Sequence, residues 1–351
     1  MKRWRRNAVA VSSVVWLLNM TPSGSWAQTL PSQASPVANE HTHGPDGLDL
    51  DRRGRPTAAA PPYAVDMAAQ WSTADYDGLA PATDQADGAR ASLPMFHAIY
   101  VYPSDKKDYP TTRFAKYAAM FQADARDASK LLESLYGRGI RFDERRSSQG
   151  VPMLDITVFR SRYNSRQLAA ANQFDLVNRE LAGTFNTPNK KYVVWLDAGS
   201  QYCGQANLSH DVSRASTNQN EGRTLAIVYR PYNLNDTNSG GFCRGRTLRH
   251  ELGHALGALQ AVTPNSFDGA HCGDSAEDTM CYTSQTVVDP GGADFDYNND
   301  DYWDPLANPS YPSDYPSSAP GGKLAWWTVN LSAFLCNTPT TCDARTTPPQ
   351  Y

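Results

Sequence analysis

The sequence predicts an α/β layer domain. Two observations carry the prediction: short runs rich in apolar and β-branched residues read as strands, and a long amphipathic pattern with helical spacing lies between the first of them and the rest. A third follows the last of these strands, where the glycine-bearing loop "NSGGFCRG" delivers the chain into a second helix containing "RHELGHALG".

In chain order, residues 1–27 read as a secretory signal. "MKRWRR" is a basic opening, Ala8 to Met20 is a short mostly apolar run, and "SWAQ" offers a small-x-small cleavage site after Ala27. The run is too short to span a bilayer. Arg5-Arg6 raises a twin-arginine route, but the residues after the pair fit it poorly and general export is favoured. From residue 28 to 92 the chain is rich in Pro, Ala, Asp and Gly without sustained periodicity, so a flexible pro-segment or linker is expected; the histidines of "HTHGPDG" belong to that coil. The folded domain is expected over residues 93–345, with 346–351 as a tail.

Within it, "HAIYVYP" reads as a strand. The helical pattern from about Thr112 to Tyr136 sets Phe114, Tyr117, Ala118, Phe121, Ala125, Ala128, Leu132 and Leu135 on related faces. "MLDITVF" and "KYVVWLD" are further strands with a helix across Arg166 to Leu181 between them, and "TLAIVYR" is another strand.

The chain carries a formal charge of −4, and loss of four basic and no acidic residues with the signal would take it to −4 − 4 = −8. A net acidic mature chain argues against nucleic acid or an anionic membrane as the main partner. No transmembrane span is expected after signal cleavage, and a monomer is expected. The six cysteines, an even number in an exported chain, favour three disulfides in one of 15 connectivities.

His250 and His254 are four residues apart, so one helical face presents both imidazoles to one point. Glu251, beside the first, lies where a general base would act without binding a metal. Two ligands and a base on one helix are the mechanical content of H-E-x-x-H. Zinc in such a site lowers the pKa of a water to about 7, and the glutamate takes its proton during attack on a carbonyl. Gly257 stands where a helix ending in a left-handed turn needs glycine.

H-E-x-x-H-x-x-G followed by a later methionine is similar to the metzincin zinc peptidases. "HELGHALGALQ", "AHCGDSAEDTMCY" and "FDYNNDDYWDP" resemble, more narrowly, a group of secreted bacterial metzincin-like proteins, over roughly Leu93 to Cys342 and most strongly from Arg249 onward. The resemblance implies a twisted, mostly parallel sheet with a long backing helix and an active-site helix, then a loop-rich C-terminal subdomain. It also implies zinc-dependent hydrolysis of protein or peptide substrates.

Gln260 departs from the metzincin pattern, standing where a third ligand is expected. A neutral amide is a poor zinc ligand beside imidazole or carboxylate. His271 is the expected replacement, reached by a loop containing Pro264 and Gly269; Asp274 and then Glu277 are the alternatives. The expected disulfide Cys272–Cys281 would tie that ligand to the methionine turn, with Cys336–Cys342 and Cys203–Cys243 as the remaining pairs. Met280 is expected as an apolar floor beneath the metal. The resemblance gives Tyr282 a role at the metal or as a donor to the developing oxyanion, against the alternative of a packed tyrosine. Asp294, Asp296, Asn298 and Asp300 alternate like the oxygen ligands of a calcium loop, but lack its glycine and terminal glutamate, so a solvated acidic loop is the competing reading.

Two other functions fit parts of this pattern. One is a non-catalytic secreted protein, glycan-binding in one version, with a structural metal. The other is a gluzincin-type peptidase that uses Glu277, which would need a second helix in an interval holding Pro264, Gly269 and Gly273.

Overall fold

The computed structural model describes residues 93–106, 114–146, 152–170, 172–213, 215, 217–231, 242–243, 246–263, 265–275, 277–282, 294–299, 301–303 and 327–336. The signal segment, the 28–92 stretch, the tail, Pro264, Asp300 and Cys342 lie outside them, and the expected domain boundaries fall there too. The elements are β1 (Met95–Tyr102), α1 (Phe114–Tyr136), β2 (Gly139–Ile140), β3 (Glu144–Arg146), β4 (Pro152–Leu154), β5 (Ile156–Arg160), α2 (Ser165–Leu168), α3 (Gln173–Ala182), β6 (Lys190–Ser200), β7 (Gly204–Ala206), β8 (Leu225–Pro231), α4 (Arg246–Ala255) and β9 (Leu335–Cys336).

Five strands form the central sheet in the order β5-β1-β6-β8-β7. β5, β1, β6 and β8 run parallel, and only the edge strand β7 is antiparallel, to β8. A parallel sheet needs cover on both faces, which is why all eight residues of β1 are buried. Side-chain alternation divides the cover. Register partners Tyr100, Trp195 and Val228 face the core shared with α1 and α4, whereas Ile99, Val194 and Ile227 face α2 and α3 through Leu168, Val177 and Leu181.

α1 backs the sheet through Phe114, Tyr117, Ala118, Phe121, Ala125, Ala128 and Leu132, at helical spacing, and Phe121 stacks on Trp195 with ring centroids 4.3 Å apart. Leu135, expected on that face, is 40% exposed; in this last turn Tyr136 packs inward instead, stacking on Trp303 at 4.0 Å.

Two expected elements are each divided. "MLDITVF" makes β4 and β5, which separate at Asp155: β4 pairs antiparallel with β3, β5 parallel with β1. The single helix expected over Arg166 to Leu181 is α2 and α3. Asn164 starts α2 one residue earlier with a capping box, its side chain accepting from Gln167 N while Gln167 Oε1 accepts from Asn164 N. The turn through Ala169 and Ala170 then ends α2 before α3 begins.

At the start of the sheet, buried His97 bridges Asp143 (Nδ1 to Oδ2, 3.0 Å) and Thr157 (Nε2 to Oγ1, 2.8 Å), and the buried Lys190 ammonium donates to Asp143 at 2.8 Å. Asp155 brings a second carboxylate near His97 and Asp143, a grouping that could hold a cation. The Lys190 ammonium already supplies the positive charge there.

After α4 the described residues contain no α-helix and one two-residue strand, β9, which returns to pair with β2 beside the end of α1. No helix of the described residues is long and apolar enough to cross a membrane.

Candidate metal centre

All ten residues of α4 are buried, including Arg246, Arg249, His250, Glu251 and His254. Polar groups in such a setting need partners, and the segment 278–282 provides several. The Arg246 guanidinium donates to three of its carbonyls: Asp278 O (2.5 Å), Cys281 O (2.7 Å) and Thr279 O (3.2 Å). His250 Nδ1 lies 2.8 Å from Thr279 O and so donates to it. Between these bonds Met280 packs on the helix where Gly253 has no side chain; a Cβ there would meet Met280 Sδ at 2.4 Å. Met280 is fully buried against α4, and a thioether there offers contact rather than charge.

α4 ends where Gly257 takes φ +86°, and Ala258 N donates back to Gly253 O at 2.9 Å. Gln260 is buried there and its Nε2 donates to Gly257 O at 3.1 Å, so its amide serves the helix end.

The chain then returns through Gly269, at φ +89°, to a tight hairpin in which Phe267 N donates to His271 O at 3.0 Å. Asp268 holds the hairpin: Oδ1 accepts from Ala270 N and His271 N, and Oδ2 lies 2.7 Å from His271 Nδ1. Cys272 is disulfide-bonded to Cys281, and Tyr282 N donates to Cys272 O at 2.8 Å, so the hairpin and the turn below it are joined twice.

These restraints bring His250, His254 and His271 together, each with a candidate ligand atom within 4.8 Å of the others. His250 Nε2 and His254 Nε2 are 3.1 Å apart, and Tyr282 OH is 3.1 Å from His250 Nε2. The donor set fits a metal. His250 and His271 each direct Nδ1–H to an oxygen partner, which leaves Nε2 with its lone pair. His254 Nδ1 is buried with no hydrogen-bond partner among the described residues, and its ring packs edge-on against His250 and His271. Burial pushes the His250 imidazolium well below the ordinary range, with the neighbouring His254 and His271 charges adding to it. Burial, then His271, push His254 down to about 3. Imidazole nitrogens gathered within 4.8 Å of one another are a donor set that suits a borderline divalent ion.

Asp274 and Glu277 are exposed and outside this group; Asp274 Oδ1 lies instead 3.2 Å from Cys281 Sγ. Cys203–Cys243 is the second disulfide among the described residues, and the partner expected for Cys336, Cys342, is outside them. Of the acidic run, Asp294 Oδ1 accepts from Tyr136 OH and from Phe295 N, and Asp296 Oδ2 accepts from Tyr302 N and Trp303 N. Asn298 is on a 3₁₀ turn, and Asp300 is outside the described residues.

Sequence reading missed Arg246, Gly253, Asp268 and Thr279. Asp268 left a signal, a carboxylate three residues before His271, whereas the other three act through contacts that no spacing records.

No family model matches the chain, and no curated protein matches it. Among solved structures it is similar to metalloproteinase-II from Bacteroides fragilis, with 13% identity over 64% of this chain and 55% of that one, at a TM-score of 0.26. It is also similar to OgpA from Akkermansia muciniphila, with 14% identity over 54% of each chain, at a TM-score of 0.30. The alignment spans about half the length of these solved chains, and at such TM-scores the likeness carries no argument.

Proposed function

We propose that the chain is a secreted zinc-dependent endopeptidase in which His250, His254 and His271 hold the metal and Glu251 is the general base. The observation that carries this reading is the convergence of three imidazoles, two of them on the same helix as a buried Glu251. A bound zinc ion supplies Lewis acidity, making water a nucleophile near neutral pH and polarising the scissile carbonyl. The protein residues do the rest. Thr279 O and Asp268 fix the tautomers and ring orientations of His250 and His271. Glu251 takes the proton of the attacking water and returns it to the leaving amine. The Tyr282 hydroxyl, next to His250 Nε2, is placed to donate to charge developing on the carbonyl oxygen. The two disulfides support an exported protein.

The test pairs metal analysis with hydrolysis of an unstructured protein such as casein. Zinc should bind near one equivalent, and Glu251→Gln should keep it while turnover falls to background. Unchanged turnover in that variant would refute the catalytic assignment and leave a structural metal as the better account.

A further inference from the structure

β7 approaches α4 more closely than a side chain would permit. A Cβ built on Gly204 would lie 2.4 Å from Glu251 Oε1, 2.6 Å from Cγ and 2.7 Å from Cδ. The whole end of the Glu251 side chain therefore rests on the bare backbone of the edge strand. Glu251 is 5% exposed, so few other rotamers are open to it.

That backbone is also anchored. Gly204 pairs with Val228 in the sheet, and Cys203, just before it, is bonded through sulfur to Cys243. Cys203 O accepts from Tyr229 N at 2.7 Å, and Tyr229 O accepts from Cys243 N at 3.1 Å. The start of β7 is thus joined to β8 and to the segment that leads into α4, by a covalent link and two hydrogen bonds. Floor and side chain keep one relative position.

We propose that Gly204 is a positioning residue: the absence of its side chain creates the seat that holds the Glu251 carboxylate in one rotamer on the helix that carries His250 and His254. This rests on the reading of Glu251 as the base. Adding a methyl group leaves Glu251 no room where it is. To reach an ordinary contact near 3.4 Å the carboxylate would have to retreat by about 3.4 − 2.4 = 1.0 Å. A displacement of that size in a reacting group costs about 100-fold in rate. His250 and His271 are held by other bonds, to Thr279 and Asp268, and stay as they are.

The experiment uses Gly204→Ala in the full, metal-loaded protein with a peptide substrate. One equivalent of zinc should remain bound, KM should change little, and kcat should fall about 100-fold. Melting temperatures of four proteins then isolate the contact: wild type, Gly204→Ala, Glu251→Ala and the double variant. Gly204→Ala should lower the melting temperature of wild type and have little effect in the Glu251→Ala background, where the opposing atoms are gone. This comparison holds even if the single variant folds poorly, because the double variant should then recover. Normal kcat in Gly204→Ala, or an equal loss of melting temperature in both backgrounds, would overturn the proposal. If Glu251→Gln keeps its turnover, the base assignment fails by itself, and the melting comparison still decides whether Gly204 seats that side chain.

Discussion

Gln260 and His271 illustrate how one side chain's commitment decides another's role. Gln260 is buried with its amide donating to Gly257 O, where it closes the end of α4. His271 arrives on a hairpin whose Asp268 takes Nδ1–H and leaves Nε2 for the cluster. Three neutral ligands also leave a divalent ion its full charge to acidify water, which a carboxylate such as Asp274 would partly offset. His271→Ala should therefore lower zinc affinity and turnover by orders of magnitude, while Gln260→Ala should be mild. A zinc titration of both variants checks this, and the reverse ranking would show that the third ligand is misassigned. His250, His254 and Glu251 could be read from spacing because a helix converts four residues into one turn. His271 could be read only as the best remaining donor, because loop geometry does not repeat and spacing predicts nothing about it.

On the scale of elements, α4 and the turn below it behave as one piece. Arg246 bonds three carbonyls of the turn, and each would be left buried without its charged donor if the guanidinium were removed. Losing a hydrogen bond from a charged group costs about 1.5–3 kcal/mol. Arg246→Met, which keeps the apolar stem, should therefore destabilise by at least about 3 kcal/mol in urea unfolding, and a loss below about 1 kcal/mol would show that the turn holds without the clamp. The strands were legible for a different reason. With both faces covered they are continuous apolar runs, so β1, β6 and β8 stand out in sequence. The breaks at Asp155 and after Leu168 were not legible, because each depends on a neighbour: β3 for β4, and the Asn164 cap for α2. Arg246 reads in sequence as one more basic residue ahead of H-E-x-x-H, since its three acceptors are backbone carbonyls that any residues would supply.

The buried network of His97, Asp143, Thr157 and Lys190 ties the beginnings of β1, β5 and β6 to the segment after β2. Burial pushes the Asp143 carboxyl up, but the hydrogen bond and charge of His97, with those of Lys190, outweigh it and hold the group below its ordinary value. The sign follows. A carboxylate with a depressed folded value stabilises the protein above the unfolded value, near pH 4, and loses that contribution as pH falls through the folded value. Asp143→Asn should cost about 3–5 kcal/mol at neutral pH, because the buried Lys190 ammonium loses the carboxylate to which it donates. Its unfolding free energy should approach that of wild type below about pH 4. Parallel curves over the whole acid range would show that Asp143 does not carry this pH dependence.

Over the whole molecule, the two described disulfides act on different properties. Cys203–Cys243 spans a sequence separation of 40 and Cys272–Cys281 one of 9. By loop entropy these restrain the unfolded chain by about 4 and about 3 kcal/mol. Against a total stability of about 5–15 kcal/mol, either is a large share. Their places in the native structure differ more than those figures do. The long link joins the start of β7 to the segment entering α4, whereas the short one joins the residue after His271 to the residue after Met280. A metal that binds the folded form stabilises it by RT ln(1 + [M]/Kd), so on the proposed zinc reading a zinc-induced rise in melting temperature would report Kd. Replacing Cys272 and Cys281 by serine frees the hairpin and should shrink that rise, because ordering His271 must then be done at the moment of binding. Replacing Cys203 and Cys243 should lower the melting temperature of the metal-free protein at least as much, yet leave the zinc-induced rise largely intact. Thermal scans of both double variants, with and without zinc, check this. An undiminished rise in the Cys272→Ser, Cys281→Ser protein would mean that Asp268 and the hairpin hold the third imidazole without the covalent link.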